Sequence, residues 1–225
     1  MRGAESQEPP PFPPTGPTAS PVRVHVIPVD RIRESLSSHQ PRLIDPYGKG
    51  QAAVAMVLRG PSSGPELLLI ERARRAGDPW SGHMAFPGGR VERMDPNPRF
   101  AAERETLEEV GLKLAEAEIL GRLDDLEGRH AGRPAALVIS AFVYFTPEPA
   151  PIVSSPEVRE ALWVALSTLL DPERQVDYAY PATPGARYPG ILVGDPERHV
   201  VWGLTYRFLE RFFGIVGQPL SASPR

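Results

Sequence analysis

The sequence predicts an α+β sandwich. Apolar, strand-like runs at 51–58, 66–72, 136–145 and 161–166 are interleaved with helical patterns at 29–39, 99–110 and 201–213. They follow no regular strand–helix–strand alternation, which argues against a doubly wound parallel sheet. A chain of 225 residues, 41% hydrophobic and 24% charged, has the length and apolar content for one substantial core.

Composition excludes several classes of function. The formal net charge of −3 supplies no general basic field, so nucleic acid is not an expected partner. No apolar run approaches the ~20 residues that cross a bilayer, so no membrane partner is expected. Cysteine is absent, which removes disulfides, thiolate metal sites and cysteine nucleophiles together. The five histidines are scattered without ligand spacing. Only Lys49 and Lys113 among the 25 basic residues are lysines.

The elements can be justified in order. Residues 1–21 hold seven prolines and few large apolar groups, so they read as a disordered, partly polyproline tail. The tail lacks the apolar stretch of a signal peptide, which points to a cytoplasmic protein. The folded domain is expected over 22–218, with a flexible C-terminus at 219–225. Val22–Ile27 alternates like a short strand, and Ile32 and Leu36 mark one face of the 29–39 helix. Two strands at 51–58 and 66–72 flank a turn at Pro61–Pro65. A polar loop then runs to His83, followed by Met84-Ala85-Phe86 and the turn Pro87-Gly88-Gly89. The 99–110 helix is expected to bury Phe100, Leu107 and Val110 and to end at Gly111. Strands follow at Ile119–Leu126, 136–145 and 161–166, and the four prolines of 146–156 make that stretch a loop. Residues 171–200 read as mostly irregular, with a hairpin near Tyr188–Val193, and Val201–Phe213 as an amphipathic helix ending at Gly214.

One segment carries chemistry. Glu105, Glu108 and Glu109 stand at i, i+3 and i+4 of a helix, which puts three carboxylates on one side of it. Like charges so close destabilise unless something neutralises them. Arg104 reaches Glu108 at i+4 but cannot serve all three. A hard divalent cation can, because Mg²⁺ takes carboxylate oxygens together with waters and substrate phosphates. Upstream, Gly88-Gly89 permits a tight loop and close backbone approach to a ligand.

This segment resembles the Nudix box, whose pattern is Gly, five residues, Glu, seven residues, then Arg-Glu-apolar-x-Glu-Glu-x-Gly-apolar. Gly89, Arg104, Glu105, Glu108, Glu109, Gly111 and Leu112 match. Asp95 stands where the first Glu is expected, eight residues separate it from Arg104, and Thr106 replaces an apolar residue. An extra residue here, with an acid at Asp95, is similar to the coenzyme A pyrophosphatase branch of the superfamily. The looser resemblance runs from about Gln51 to Leu166.

The resemblance implies an α/β/α sandwich with the box as loop–helix–loop. It also implies a hydrolase that attacks a diphosphate with water. Glu105, Glu108 and Glu109, with the carbonyl of Gly88, would hold Mg²⁺ or Mn²⁺. Arg104 would orient the glutamates and Asp95 would support the loop. One box glutamate would act as general base, with Glu157 and Glu160 as acids outside the box.

The coenzyme A branch also carries an upstream motif, which Arg72-Ala73 and Gly82…Phe86-Pro87-Gly88-Gly89 match in part. The intervening loop is one residue longer, and the motif's second Arg is missing; Arg74 or Arg75 would substitute. Arg72, Arg74, His83 and Gly89 are therefore the expected substrate contacts, and Trp80 a ring that stacks on a base. The expected partner is a small nucleotide diphosphate, coenzyme A or an acyl derivative. Another nucleotide (ADP-ribose, NADH or a dNTP) and a non-catalytic nucleotide-binding regulator are the alternatives. Self-association into a homodimer is left open.

Overall fold

Period-two alternation along three strands builds a sheet with two buried faces. We describe the chain from a computed structural model covering residues 26–61, 64–75, 80–130, 133–181 and 183–221. The expected tail over 1–21, Val22–His25 of the expected first strand and the last four residues of the C-terminus lie outside these residues. The elements are α1 (Val29–Ser38), β1 (Gly50–Arg59), β2 (Glu66–Arg72), β3 (Met84–Ala85), β4 (Gly88–Arg90) and α2 (Pro98–Val110). They continue with β5 (Glu118–Arg122), β6 (Leu126–His130), β7 (Arg133–Phe145), β8 (Val158–Ala165) and α3 (Leu166–Leu170). Strands β9 (Gln175–Tyr178), β10 (Tyr188–Leu192) and β11 (Val200–Trp202) precede α4 (Gly203–Ile215).

The large sheet is mixed. β1 and β7 run parallel over a ladder from Gly50↔Leu137 to Leu58↔Phe145, while the other pairings are antiparallel. One face sends Met56, Leu58, Leu67, Leu69, Ile139 and Val143 against α1 and α4, through Ile32, Leu36, Phe208 and Phe212. The other sends Ala55, Val57, Leu68, Ile70, Phe142 and Tyr144 against Ala101, Ala102 and Val110 of α2. This is the α/β/α sandwich that the resemblance implied.

The ladder between β1 and β2 is short, and it determines where the site forms. The two strands pair only at Leu58↔Leu67 and Arg59↔Glu66. Beyond that they part, and β3 and β4 fill the gap: β3 pairs with the end of β2, β4 with the start of β1. The Gly88-Gly89 turn is thereby held in the cleft of the split sheet.

Several elements differ from expectation. Phe100 and Leu107 are 47% and 44% exposed, and the buried side of α2 is instead Ala101, Ala102, Thr106, Glu109 and Val110. Small alanines let the helix lie close on β1, and no room remains there for a large ring. Thr106 fits this face because its hydroxyl is consumed, donating to the Ala102 carbonyl at 2.7 Å. The expected strand 119–126 is broken into β5 and β6. At the break buried Asp125 accepts from Arg122, from Ser140 and from the backbone of Ile44. Residues 175–202 form a three-stranded antiparallel sheet, β9–β10–β11, where mostly irregular chain was expected. The last helix starts at Gly203, whose φ of +63° turns the chain out of β11; Val201 and Trp202 are strand, not helix. Val26 and Ile27 lie in no strand, although Ile27 is buried.

Candidate active site

The helix that carries the acids is fixed at both ends. Asn97 caps its start, accepting from the Phe100 amide at 3.0 Å, with Pro98 in the first turn. Gly111 closes it in the left-handed region at φ +74°, donating to the Leu107 carbonyl. Burial along the helix is graded: Glu109 is 4% exposed, Glu105 half-buried and Glu108 exposed. The three carboxylates therefore enter one cleft from different depths.

Two glycines bring the backbone against these acids. Gly88 has φ +150°, and a Cβ there would lie 2.3 Å from the Ala53 carbonyl oxygen. Its amide donates to Oε2 of Glu109 at 2.9 Å. A Cβ on Gly89 would lie 2.4 Å from Oε1 of Glu105. Any side chain at either position collides with a β1 backbone or an acid of the site.

Arg104 organises the rim. Its guanidinium donates to both oxygens of Asp95, at 3.0 and 2.9 Å, and to Glu105 and Glu108 at 2.9 and 3.2 Å. It also reaches the carbonyl of Arg90. The fork geometry suits a carboxylate gripped at two points. The Arg104 guanidinium, aided by the Glu92 amide, holds the Asp95 carboxyl below its ordinary value against the effect of burial. Asp95 thus ties the loop after β4 to α2.

Burial dominates the charge on the inner acids. It pushes Glu109 up to about 7, and the nearby Glu105 and Glu157 carboxylates push the same way. The Gly88 amide and Arg72 oppose this without cancelling it. Glu105 is also raised, by burial first, with Arg104 pulling it back. The cleft, about 420 Å³, is lined by Arg75, Glu92, Arg104, Glu105, Glu108, Glu109, Ser155 and Glu157.

The other candidate residues fall in different places. Arg72 lies close enough to Glu109 for its charge to be felt there. Arg74 is exposed and runs alongside Gly82, whereas Arg75 lines the cleft and pairs with Glu157 at 2.9 Å. Glu157 comes from the loop before β8, 48 residues after Glu109 in sequence, and faces the box from across the cleft. His83 has its ring against Tyr180 and Trp202. Trp80 is 44% exposed, and its carbonyl accepts from the His83 amide. Glu160 turns into a separate network described next. Sequence reasoning missed Ser155 and Glu92 as lining residues; their only signal is proximity to elements folded together by the sheet.

The chemistry of the cleft fits a divalent metal. The hard carboxylate oxygens of Glu105, Glu108, Glu109 and Glu157 border it together. A second group, Glu71, Glu160 and His199, has donor atoms within 4.8 Å of one another. That group already contains a cation. Arg198 donates to Glu71 at 2.8 Å and also to Glu160, and Arg159 donates to Glu71 at 3.0 Å. It is an ion network joining β2, β8 and the turn before β11.

A carboxylate-bearing helix thus stands against a Gly-Gly turn in the cleft of an α/β/α sandwich. The chain belongs to the Nudix family, for the profile described as NUDIX domain matches residues 49–184. The chain is 42% identical over 118 residues to the uncharacterized protein C14C4.10c of Schizosaccharomyces pombe, covering 51% of this chain and 36% of that one. It is 34% identical over 125 residues to the probable nudix hydrolase C6G9.05 of the same yeast, covering 55% of this chain and 42% of that one. The matched region is thus less than half of either relative. The crystal structure of a MutT/nudix family protein from Enterococcus faecalis superposes with a TM-score of 0.51 at 17% identity, over 84% of this chain and 69% of that one. That likeness is one of fold. Among the described residues no helix is long and apolar enough to cross a membrane.

Proposed function

We propose that the protein hydrolyses the diphosphate linkage of a nucleoside diphosphate derivative, with Mg²⁺ or Mn²⁺ as cofactor. The observation that carries this reading is the convergence of Glu105, Glu108, Glu109 and Glu157 on one cleft rimmed by Arg75 and Arg104. Glu105, Glu108 and Glu109, with the Gly88 carbonyl, are the groups that would hold the metal. The ion, once bound, supplies neutralisation of phosphate charge and a more acidic water.

The chain's own groups do the rest. Arg104 keeps Glu105 and Glu108 directed at the cleft and locks the loop through Asp95. Arg72, Arg75 and the backbone at Gly89 face the diphosphate. A water oxygen attacks phosphorus, the bridging P–O bond breaks, and two phosphate-bearing fragments leave. The proton of that water passes to a cleft carboxylate, one of the box glutamates or Glu157, a step worth typically ~10²–10⁴-fold.

Within this class, coenzyme A or an acyl-coenzyme A is the substrate we favour. The support is the extra box residue with Asp95, and the Arg72-Ala73 and Gly82–Gly89 parts of the upstream motif. Arg75, which lines the cleft, takes the part of the missing second Arg. The test is a Mg²⁺-dependent substrate panel: coenzyme A, acyl derivatives, ADP-ribose, NADH, diadenosine polyphosphates and dNTPs. Coenzyme A should give the highest kcat/KM. A higher value for ADP-ribose or NADH removes the coenzyme A claim and leaves the hydrolase. No metal-dependent turnover of any member removes the hydrolase.

A further inference from the structure

We propose that His83, Tyr178, Tyr180, Tyr188 and Trp202 form the platform that takes the nucleobase of the substrate, next to the acidic cleft. The five rings make one continuous cluster. Trp202 is at its centre, with ring centroids 4.6 Å from Tyr180, 4.9 Å from His83, 5.1 Å from Tyr178 and 5.3 Å from Tyr188. All five side chains are part-exposed, unlike the fully buried Phe208, Phe212 and Phe213 of the core. Rings with polar edges gathered at the surface suit a planar, heteroatom-bearing ligand better than a dry core does.

Position ties the cluster to the cleft. His83 lies five residues before Gly88, so the two are at most about 18 Å apart along the chain. The His83 carbonyl accepts from the Arg72 amide at 3.1 Å, and Arg72 is the arginine whose charge is felt at Glu109. β11, which carries Trp202, is held beside β3 because the Thr205 hydroxyl donates to the Met84 carbonyl at 3.1 Å. The small sheet β9–β10–β11 thus has a use that its sequence did not show: it carries three of the five rings, with Tyr180 two residues beyond β9, to the side of β3, the strand that leads into the Gly-Gly turn. The inference rests on the hydrolase reading for the identity of the ligand.

The experiment pairs Tyr180→Ala with Tyr180→Phe in the full chain. Base–aromatic stacking removed by alanine weakens binding by about 5- to 150-fold. With the best substrate of the panel, Tyr180→Ala should raise KM at least about tenfold and leave kcat within about twofold. Inhibition by inorganic pyrophosphate, which has no base, should not change, and Tyr180→Phe should restore KM. An unchanged KM in Tyr180→Ala overturns the proposal. So does a joint loss of kcat and pyrophosphate affinity, which marks a structural role. A second measurement is independent of turnover: adenosine 5′-monophosphate should quench Trp202 fluorescence in wild type, and Trp202→Phe should abolish the signal. Quenching without hydrolysis of any substrate would remove the hydrolase and keep the platform; hydrolysis without quenching removes the platform alone.

Discussion

Replacing Glu109 with Gln should make the metal-free protein both more stable and inactive. The carboxyl is 4% exposed and titrates at about 7 instead of 4.5, chiefly because burial disfavours the charge. A folded value above the unfolded one means that the native state binds more protons between those two pH values. Stability is therefore full below about 4.5 and declines as pH rises towards and through 7. Keeping this carboxyl charged in the fold at pH 8 costs about 3 kcal/mol. Gln keeps an oxygen to accept from the Gly88 amide and has no charge to bury. In a chain of this size about 3 kcal/mol is roughly 6–12 °C in Tm. The assay is thermal unfolding in EDTA at pH 5 and pH 8, for wild type and Glu109→Gln. Expected are near-equal Tm values at pH 5, a higher Tm for the variant at pH 8, and a turnover loss of orders of magnitude with Mg²⁺. Parallel pH profiles, or a variant less stable at pH 8, would refute the reasoning.

Three further predictions follow from the geometry. Gly89→Ala places a methyl 2.4 Å from Glu105, so the carboxylate must swing aside; kcat should fall about 10²-fold while Tm moves little. Arg104→Met leaves the Asp95 side chain, 2% exposed, without its two-pronged partner. Asp95 then loses the downward shift that stabilises the fold above its ordinary value of 3.8. Urea unfolding at pH 7 should show a clear loss that shrinks as pH falls through the acid range. Glu71→Ala takes from Arg159 its carboxylate partner and from Arg198 one of the two acids it bridges. It should cost on the order of 2–3 kcal/mol in chemical denaturation, less than a fully buried pair because both arginines reach solvent.

The sequence by itself determined the acids and most of the strands. Glu105, Glu108 and Glu109 are legible because helix spacing is local, and Gly111 ends the helix by its own backbone freedom. Strands β1, β2 and β7 are legible because both faces are buried and the apolar runs are unbroken. Which side of α2 faces the sheet was decided by tertiary packing. Close approach to β1 selects Ala101, Ala102 and Thr106 over the larger Phe100 and Leu107, and it draws Glu109 inward. That same contact gives one of three similar glutamates a value of about 7. Between the two outlying acids that the resemblance offered, tertiary structure decided: Glu157 reaches the cleft because β8 pairs with β2, whereas Glu160 joins the network of Glu71 and Arg198. The small sheet was hidden for a related reason. β9, β10 and β11 are 4, 5 and 3 residues long, too short for periodicity to declare, and they exist because each supplies the other's hydrogen bonds. Local pattern thus specifies which residues can act. Only long-range packing sets which of them lose solvent, and burial is what separates chemically similar side chains into different roles.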